Sequence, residues 1–158
     1  MKKTGIILAI LLLLVTVNST YYFLGVLRVK FIEWFVFNAC APSSITYLIG
    51  FILYLRFRER TVMHMAVLPM FFFGGLGLFV FPWDGINIIP QISHIIMVLN
   101  IGWLLTGTFR MKDFKSATIG MLMGTMVFSV FIGFQQNYMA THHEDFKRIL
   151  KIELPGQR

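Results

Sequence analysis

The chain is 158 residues long, 57% hydrophobic and only 13% charged. Soluble domains run about 45–50% apolar and about 25% charged, so a water-solvated domain is excluded, and the length leaves room for one bundle. The formal charge of +7 does not mark a nucleic-acid binder, because Lys and Arg stand at the ends of apolar stretches, where anionic headgroups and insertion rules put them.

Five apolar stretches follow one another over about 5–27, 34–55, 62–81, 89–109 and 116–135. Each has about twenty residues, the length a helix needs to cross about 30 Å of hydrocarbon at about 1.5 Å per residue. The predicted fold is all-α: one polytopic membrane helix bundle of five transmembrane helices over residues 1–158, with a tail over 136–158. The first stretch follows Lys2 and Lys3, and small residues stand at Ser19 and Thr20, the pattern of a cleaved signal that would leave four helices. The run continues apolar through Tyr21, Tyr22, Phe23 and Leu24, which favours a retained helix.

The second stretch holds Asn38, Cys40, Pro42, Ser43, Ser44 and Thr46. Asn38, Pro42 and Thr46 are four apart, so a continuous helix puts them on one face, and Pro42 frees a carbonyl near Asn38. Such a face lines a small polar cavity, or its hydroxyls bond back to their own helix. Cys40 is the one cysteine, so no intramolecular disulfide forms. In the third stretch His64 lies between Met63 and Met65 and is expected at the interface near Arg58 and Arg60. Gly74, Gly75 and Gly77 cut a notch in a Phe-rich helix. No strand precedes them, so they are no nucleotide loop.

Residues 82–88 carry no positive charge. Pro82 ends the third helix, Trp83 suits headgroup level, Asp84-Gly85 is turn chemistry, and Asn87 or a neighbour caps a fourth helix with Pro90 in its first turn. On that helix Gln91, His94 and Met97 share a face, Asn100 points elsewhere, and Trp103 follows. Buried polar groups in hydrocarbon cost several kcal/mol unless partnered, which makes them the candidates for function. A histidine there ligates haem or metal, relays a proton, holds a ligand, or simply bonds a neighbouring helix. A haem shared by His64 and His94 is opposed by depth: they belong to opposite leaflets, about 15–20 Å apart.

Small residues mark helix contacts in lipid. The fifth stretch carries Ser116, Gly120 and Gly124 in one row and Thr125, Ser129 and Gly133 in another, against a helix of this chain or of another copy. Beyond it, Thr141-His142-His143-Glu144 fits a capping box that starts a short amphipathic surface helix over 142–153, ended by Pro155-Gly156.

With the N-terminus inside, the inner segments hold Lys2, Lys3, Arg56, Arg58, Arg60, Arg110, Lys112 and Lys115, so the C-terminus lies outside, in a bacterial or archaeal cytoplasmic membrane. No hydrolytic motif and no intramembrane carboxylate is present. The expected function is non-enzymatic. The chain either binds an apolar or amphipathic ligand within the bundle or serves as an accessory subunit of a membrane complex. Asn38, Thr46, Gln91, His94, Asn100 and Trp103 are the ligand-binding candidates, in a cavity between the second and fourth helices. The alternative is a haem- or metal-binding redox subunit using His94. His142, His143 and Asp84 are weaker metal candidates, and no cofactor is predicted. The partners expected are the lipid bilayer and either other membrane subunits or further copies of the chain, without nucleic acid.

Overall fold

The computed structural model describes residues 2–80, 83 and 88–150. The expected turn at Pro82, Asp84, Gly85 and Asn87 and the helix stop at Pro155-Gly156 lie outside the described residues. Helix α1 (Lys2–Tyr21) runs on through a wide π-helical turn, Tyr22–Val26. It is followed by a short α2 (Phe31–Phe37) and by α3 (Cys40–Phe57). Then come α4 (Arg60–Met70), a second π-helical turn (Phe71–Gly75) and α5 (Leu76–Val80). Helices α6 (Ile88–Met111), α7 (Phe114–Thr141) and α8 (His143–Leu150) complete the described chain, which contains no strand. Five helical stretches are long and apolar enough to cross a membrane: Lys2–Val26, Cys40–Phe57, Arg60–Phe79, Ile88–Met111 and Phe114–Thr141.

The second apolar stretch is not one helix. Asn38 ends α2 with φ −113° and ψ 47°, and α3 starts two residues later. Pro42 therefore stands in the first turn of α3, where a missing N–H leaves no helical bond unmade. The Asn38 carbonyl is taken by the Ala41 N–H at 2.9 Å, and the Ala39 carbonyl by the Ser43 N–H at 3.2 Å. Pro42 frees no carbonyl, and Asn38, Pro42 and Thr46 share no helix face. Proline acts inside α4 instead. Pro69 has no N–H for the Met65 carbonyl, and the chain widens into the π-helical turn just beyond it.

The apolar core is built by α1, α3, α4 and α6, from Leu12, Tyr47, Phe51, Met63, Val67, Met70, Met97 and Ile101 among others. Helix α7 adds nothing to it. It lies along α4, where Gly120 and Gly124 let the two backbones touch. A methyl group on Gly120 would sit 2.5 Å from the Thr61 carbonyl oxygen, and one on Gly124 2.9 Å from that of Met65. Each glycine thus points an α-hydrogen at a carbonyl, the weak bond that recurs between closely packed helices. Ser116 begins this row half-buried, whereas Thr125, Ser129 and Gly133 face outward. Farther along, the Gln135 amide donates to the Val36 carbonyl at 3.2 Å and Phe131 packs on Phe35 at 4.8 Å, tying α7 to α2.

The expected short tail helix forms, but not from the expected Thr141 cap. α7 continues to Thr141, whose hydroxyl bonds back to the Asn137 and Tyr138 carbonyls rather than capping a new helix. His142 closes α7 and stacks on Tyr138 at 4.0 Å, and α8 begins only at His143. Phe146 packs against Phe37 at 5.3 Å, so α8 is pinned to the end of α2.

Replacing Gly120 by leucine forces a branched side chain into the backbone of α4. The expected cost is about 1–3 kcal/mol of unfolding free energy, read by detergent titration of the folded chain. Gly133→Leu, where the added atoms meet open space, is expected to stay within about 0.5 kcal/mol.

Candidate functional site

Two polar assemblies stand out, at opposite ends of the bundle. The first centres on His94, which is buried in α6 with Gln91 one turn before it. Its Nδ1 lies 3.2 Å from the Gln91 Oε1 and its Nε2 lies 3.2 Å from the Cys40 sulfur at the start of α3. An amide oxygen can only accept, so a neutral imidazole with its proton on Nδ1 turns the Nε2 lone pair toward the Cys40 sulfur. The same sulfur stands 3.8 Å from the Phe73 carbonyl in the wide turn after Pro69.

The glycine notch makes this possible. A methyl on Gly77 would fall 2.5 Å from the His94 Nε2, and one on Gly74 3.0 Å from the Met97 sulfur. The notch is a socket for two α6 side chains. Next to it runs a crevice between α1, α3 and α6, lined by Ser19, Cys40, Ser44, Ser93 and Met97 among others. It takes a water molecule rather than an organic ligand.

The other expected ligand-binding residues do not join His94. The Asn38 amide donates to the Ser19 hydroxyl at 2.9 Å, where α1 meets the α2–α3 junction. The Thr46 hydroxyl bonds back to the Pro42 carbonyl at 2.9 Å. Asn100 is a strut between α6 and α1. Its amide nitrogen donates to the Leu8 carbonyl at 3.1 Å and to that of Ile96 at 2.9 Å, while its Oδ1 finds no donor among the described residues. Trp103 lies at the far end, flush against Gly5.

That far end holds the second assembly, a pocket of about 600 Å³ including its open mouth. Lys2, Arg58 and Arg60 stand around it, and Met63, Trp103, Leu104 and Met111 supply apolar wall. Tyr54, His64 and Thr108 add polar atoms. Local chain geometry fixes the cations. Arg58 ends α3 in the left-handed region, φ 62°, and its N–H closes on the Tyr54 carbonyl at 2.8 Å. Glu59 turns away to cap α4, accepting from the Thr61 N–H at 3.2 Å and hydroxyl at 2.8 Å, and those bonds hold its carboxyl below the usual range. Arg60 pairs with Asp113 at 3.5 Å and also reaches the Met111 sulfur.

His64 lies at the Arg58–Arg60 end, as expected, but inside the bundle. It is buried where α4, α6 and α7 meet, with Nε2 3.3 Å from the Thr108 hydroxyl. Thr108 is fourteen residues beyond His94 on the same helix, about 21 Å at 1.5 Å per residue, so the two histidines serve different sites. At the tail, Glu144 pairs with Lys147 at 3.1 Å and Asp145 with Arg148 at 2.7 Å, beside His142 and His143. Among the described residues no three of His, Cys, Asp and Glu converge, and Asp84 lies outside them.

Sequence reasoning missed Cys40 as the partner of His94 and missed the Lys2, Arg58 and Arg60 pocket altogether. The pocket's signal was present in the clustering of cations at span ends. Compared with known proteins, the chain matches no family model, no curated protein and no solved structure.

The α6–α7 turn carries a pH dependence. The Asp113 carboxyl is held below its ordinary 3.8, first by the Ser116 hydroxyl and further by the Arg60 guanidinium. A depressed carboxyl stabilises the fold while ionised, so this contribution is present above pH 3.8 and is lost as the pH falls below it. Asp113→Asn is expected to lessen the acid loss of thermal stability. Identical acid profiles for variant and parent would count against the assignment.

Proposed function

We propose that the chain is a non-enzymatic integral membrane protein that binds an anionic amphiphile, a lipid or lipid-like molecule, in the pocket at the Lys2 end. The observation that carries this reading is the pairing of cations with apolar wall in one opening. Lys2 and Arg58 are exposed at its rim, and among the described residues neither has a carboxylate partner. Below them Met63, Trp103, Leu104 and Met111 offer a surface for an acyl chain. Ligand pockets are mostly apolar with a few placed polar groups. Basic pockets between membrane helices hold acidic headgroups in the same way.

The same end defines the orientation we propose, N-terminus inside and C-terminus outside. Eight of the Lys and Arg residues belong to the Lys2 end, and Arg28 and Lys30 alone stand in the first connection at the other. The pocket then opens at the inner leaflet, whose anionic lipids supply the ligand chemistry.

Each Lys or Arg near an anionic surface contributes about 1 kcal/mol. Arg58→Ala is therefore expected to weaken binding of phosphatidylglycerol to the micellar protein about fivefold, with phosphatidylcholine of the same chains unchanged. Trp103→Ala is expected to weaken both. Equal affinity of parent and Arg58→Ala for the acidic lipid would overturn the reading.

A second reading, a subunit role, rests on α7. Its outward row of Thr125, Ser129 and Gly133 is smooth, because both hydroxyls bond back to their own helix, at 2.9 Å and 3.4 Å. Gly133→Leu then breaks association with another membrane helix while leaving the chain folded, which crosslinking in native membranes detects.

A further inference from the structure

We propose that Cys40, His94 and Met97 form a site for a soft monovalent metal cation, with copper(I) as the fitting ion. The inference is independent of the amphiphile pocket, which lies at the other end of the bundle.

Geometry supplies the first two ligands. The Cys40 sulfur and the His94 Nε2 are 3.2 Å apart, on different helices. Metal–sulfur and metal–nitrogen bonds of about 2.3 and 2.0 Å span that separation at about 96°, and a trigonal angle needs about 3.7 Å. Half an ångström of widening therefore seats an ion between the two atoms. The Gln91 Oε1 on the opposite ring nitrogen fixes the imidazole so that Nε2 faces the sulfur, the role that outer partners of metal-bound histidines play.

Met97 is the third soft donor. It lies three residues after His94 on the same face of α6, is 1% exposed, and shares with Cys40 the lining of the crevice between α1, α3 and α6. Gly74 and Gly77 stand one turn apart and seat Met97 and His94 side by side. Thiolate and thioether ligands select copper(I) over harder ions. The crevice, with Ser44 and Ser93 on its walls, is the path by which the ion enters and the proton leaves.

Charge decides between one and two positive units. Binding breaks the Cys40 S–H bond and forms a sulfur–metal bond. The proton passes to water and the metal keeps its oxidation state. A monovalent ion thus replaces one proton and leaves the site neutral. A divalent ion would leave one uncompensated charge in an apolar interior, which is costly. None of the five membrane-length stretches contains an Asp or Glu to offset it.

The test uses the purified full-length chain in detergent, offered copper(I) as its bathocuproine disulfonate complex, with withdrawal of the metal read by absorbance. The parent is expected to withdraw one copper per chain, Cys40→Ser none, and His94→Gln to bind about tenfold more weakly. Met97→Leu, close to isosteric, is expected to lower affinity with the helical circular dichroism unchanged. The X-ray absorption spectrum of the parent's copper form should contain both sulfur and nitrogen neighbours, an outcome that needs no variant to fold. The proposal is overturned if the folded parent withdraws no copper, if Cys40→Ser withdraws as much as the parent, if the spectrum shows sulfur without nitrogen, or if zinc(II) is held as tightly as copper(I).

Discussion

Helices surrounded by hydrocarbon gain little by hiding apolar surface from one another, so they must hold together by contact. In this chain the closest approaches between helices are made where a side chain is missing. Gly5 receives the Trp103 ring, Gly50 meets Ala66, Gly74 and Gly77 receive Met97 and His94, and Gly120 and Gly124 lie on the carbonyls of α4. Both polar assemblies inherit their geometry from these close approaches. The His94 ring reaches the Cys40 sulfur because Gly77 leaves space for it, and Trp103 reaches the wall of the basic pocket because Gly5 lets α1 lie flat against it.

The division of labour between the two ends follows from composition. At the Lys2 end the cations are spread over α1, the α3–α4 connection and the start of α4, and the carboxylates there are already engaged, Glu59 with Thr61 and Asp113 with Arg60. Positive charge is left over at an opening. Around His94 the polar side chains are uncharged and bonded in a row, Gln91 to the imidazole and the imidazole to Cys40, and glycines close the space beside them. One end thus leaves charge at an opening, and the other closes around uncharged groups.

The membrane-length helices were legible because hydropathy over about twenty residues is a property of the chain itself. So was the shared face of Gln91, His94 and Met97, which needs only helical spacing. The break at Asn38 was not, because Phe31–Phe37 is as apolar as the helix it precedes and no window average registers a change of direction. For the same reason Pro42 looked like a mid-helix residue that frees a carbonyl. The letters of a capping box at Thr141 misled because α7 runs through them. The Cys40–His94 contact joins residues 54 apart in sequence and depends on how α3 meets α6, which local pattern does not encode. The row at Gly120 and Gly124 was visible as a packing face, but its partner, α4, became evident only with the fold.

The wide turn after Pro69 sets the angular phase between two halves of one apolar stretch. Successive residues of an α-helix advance about 100° around its axis. A π-helical turn takes in one residue more than an α-turn closing the same rise, so the face beyond it is rotated against the face before it. Thr61 and Met65 therefore look toward α7, while Gly74 and Gly77 look toward α6. A single-residue deletion within Phe71–Gly75 leaves hydropathy and span length almost untouched, yet it swings the glycine socket away from His94. For this chain a one-residue change of length at that turn is a larger perturbation than most substitutions of its side chains.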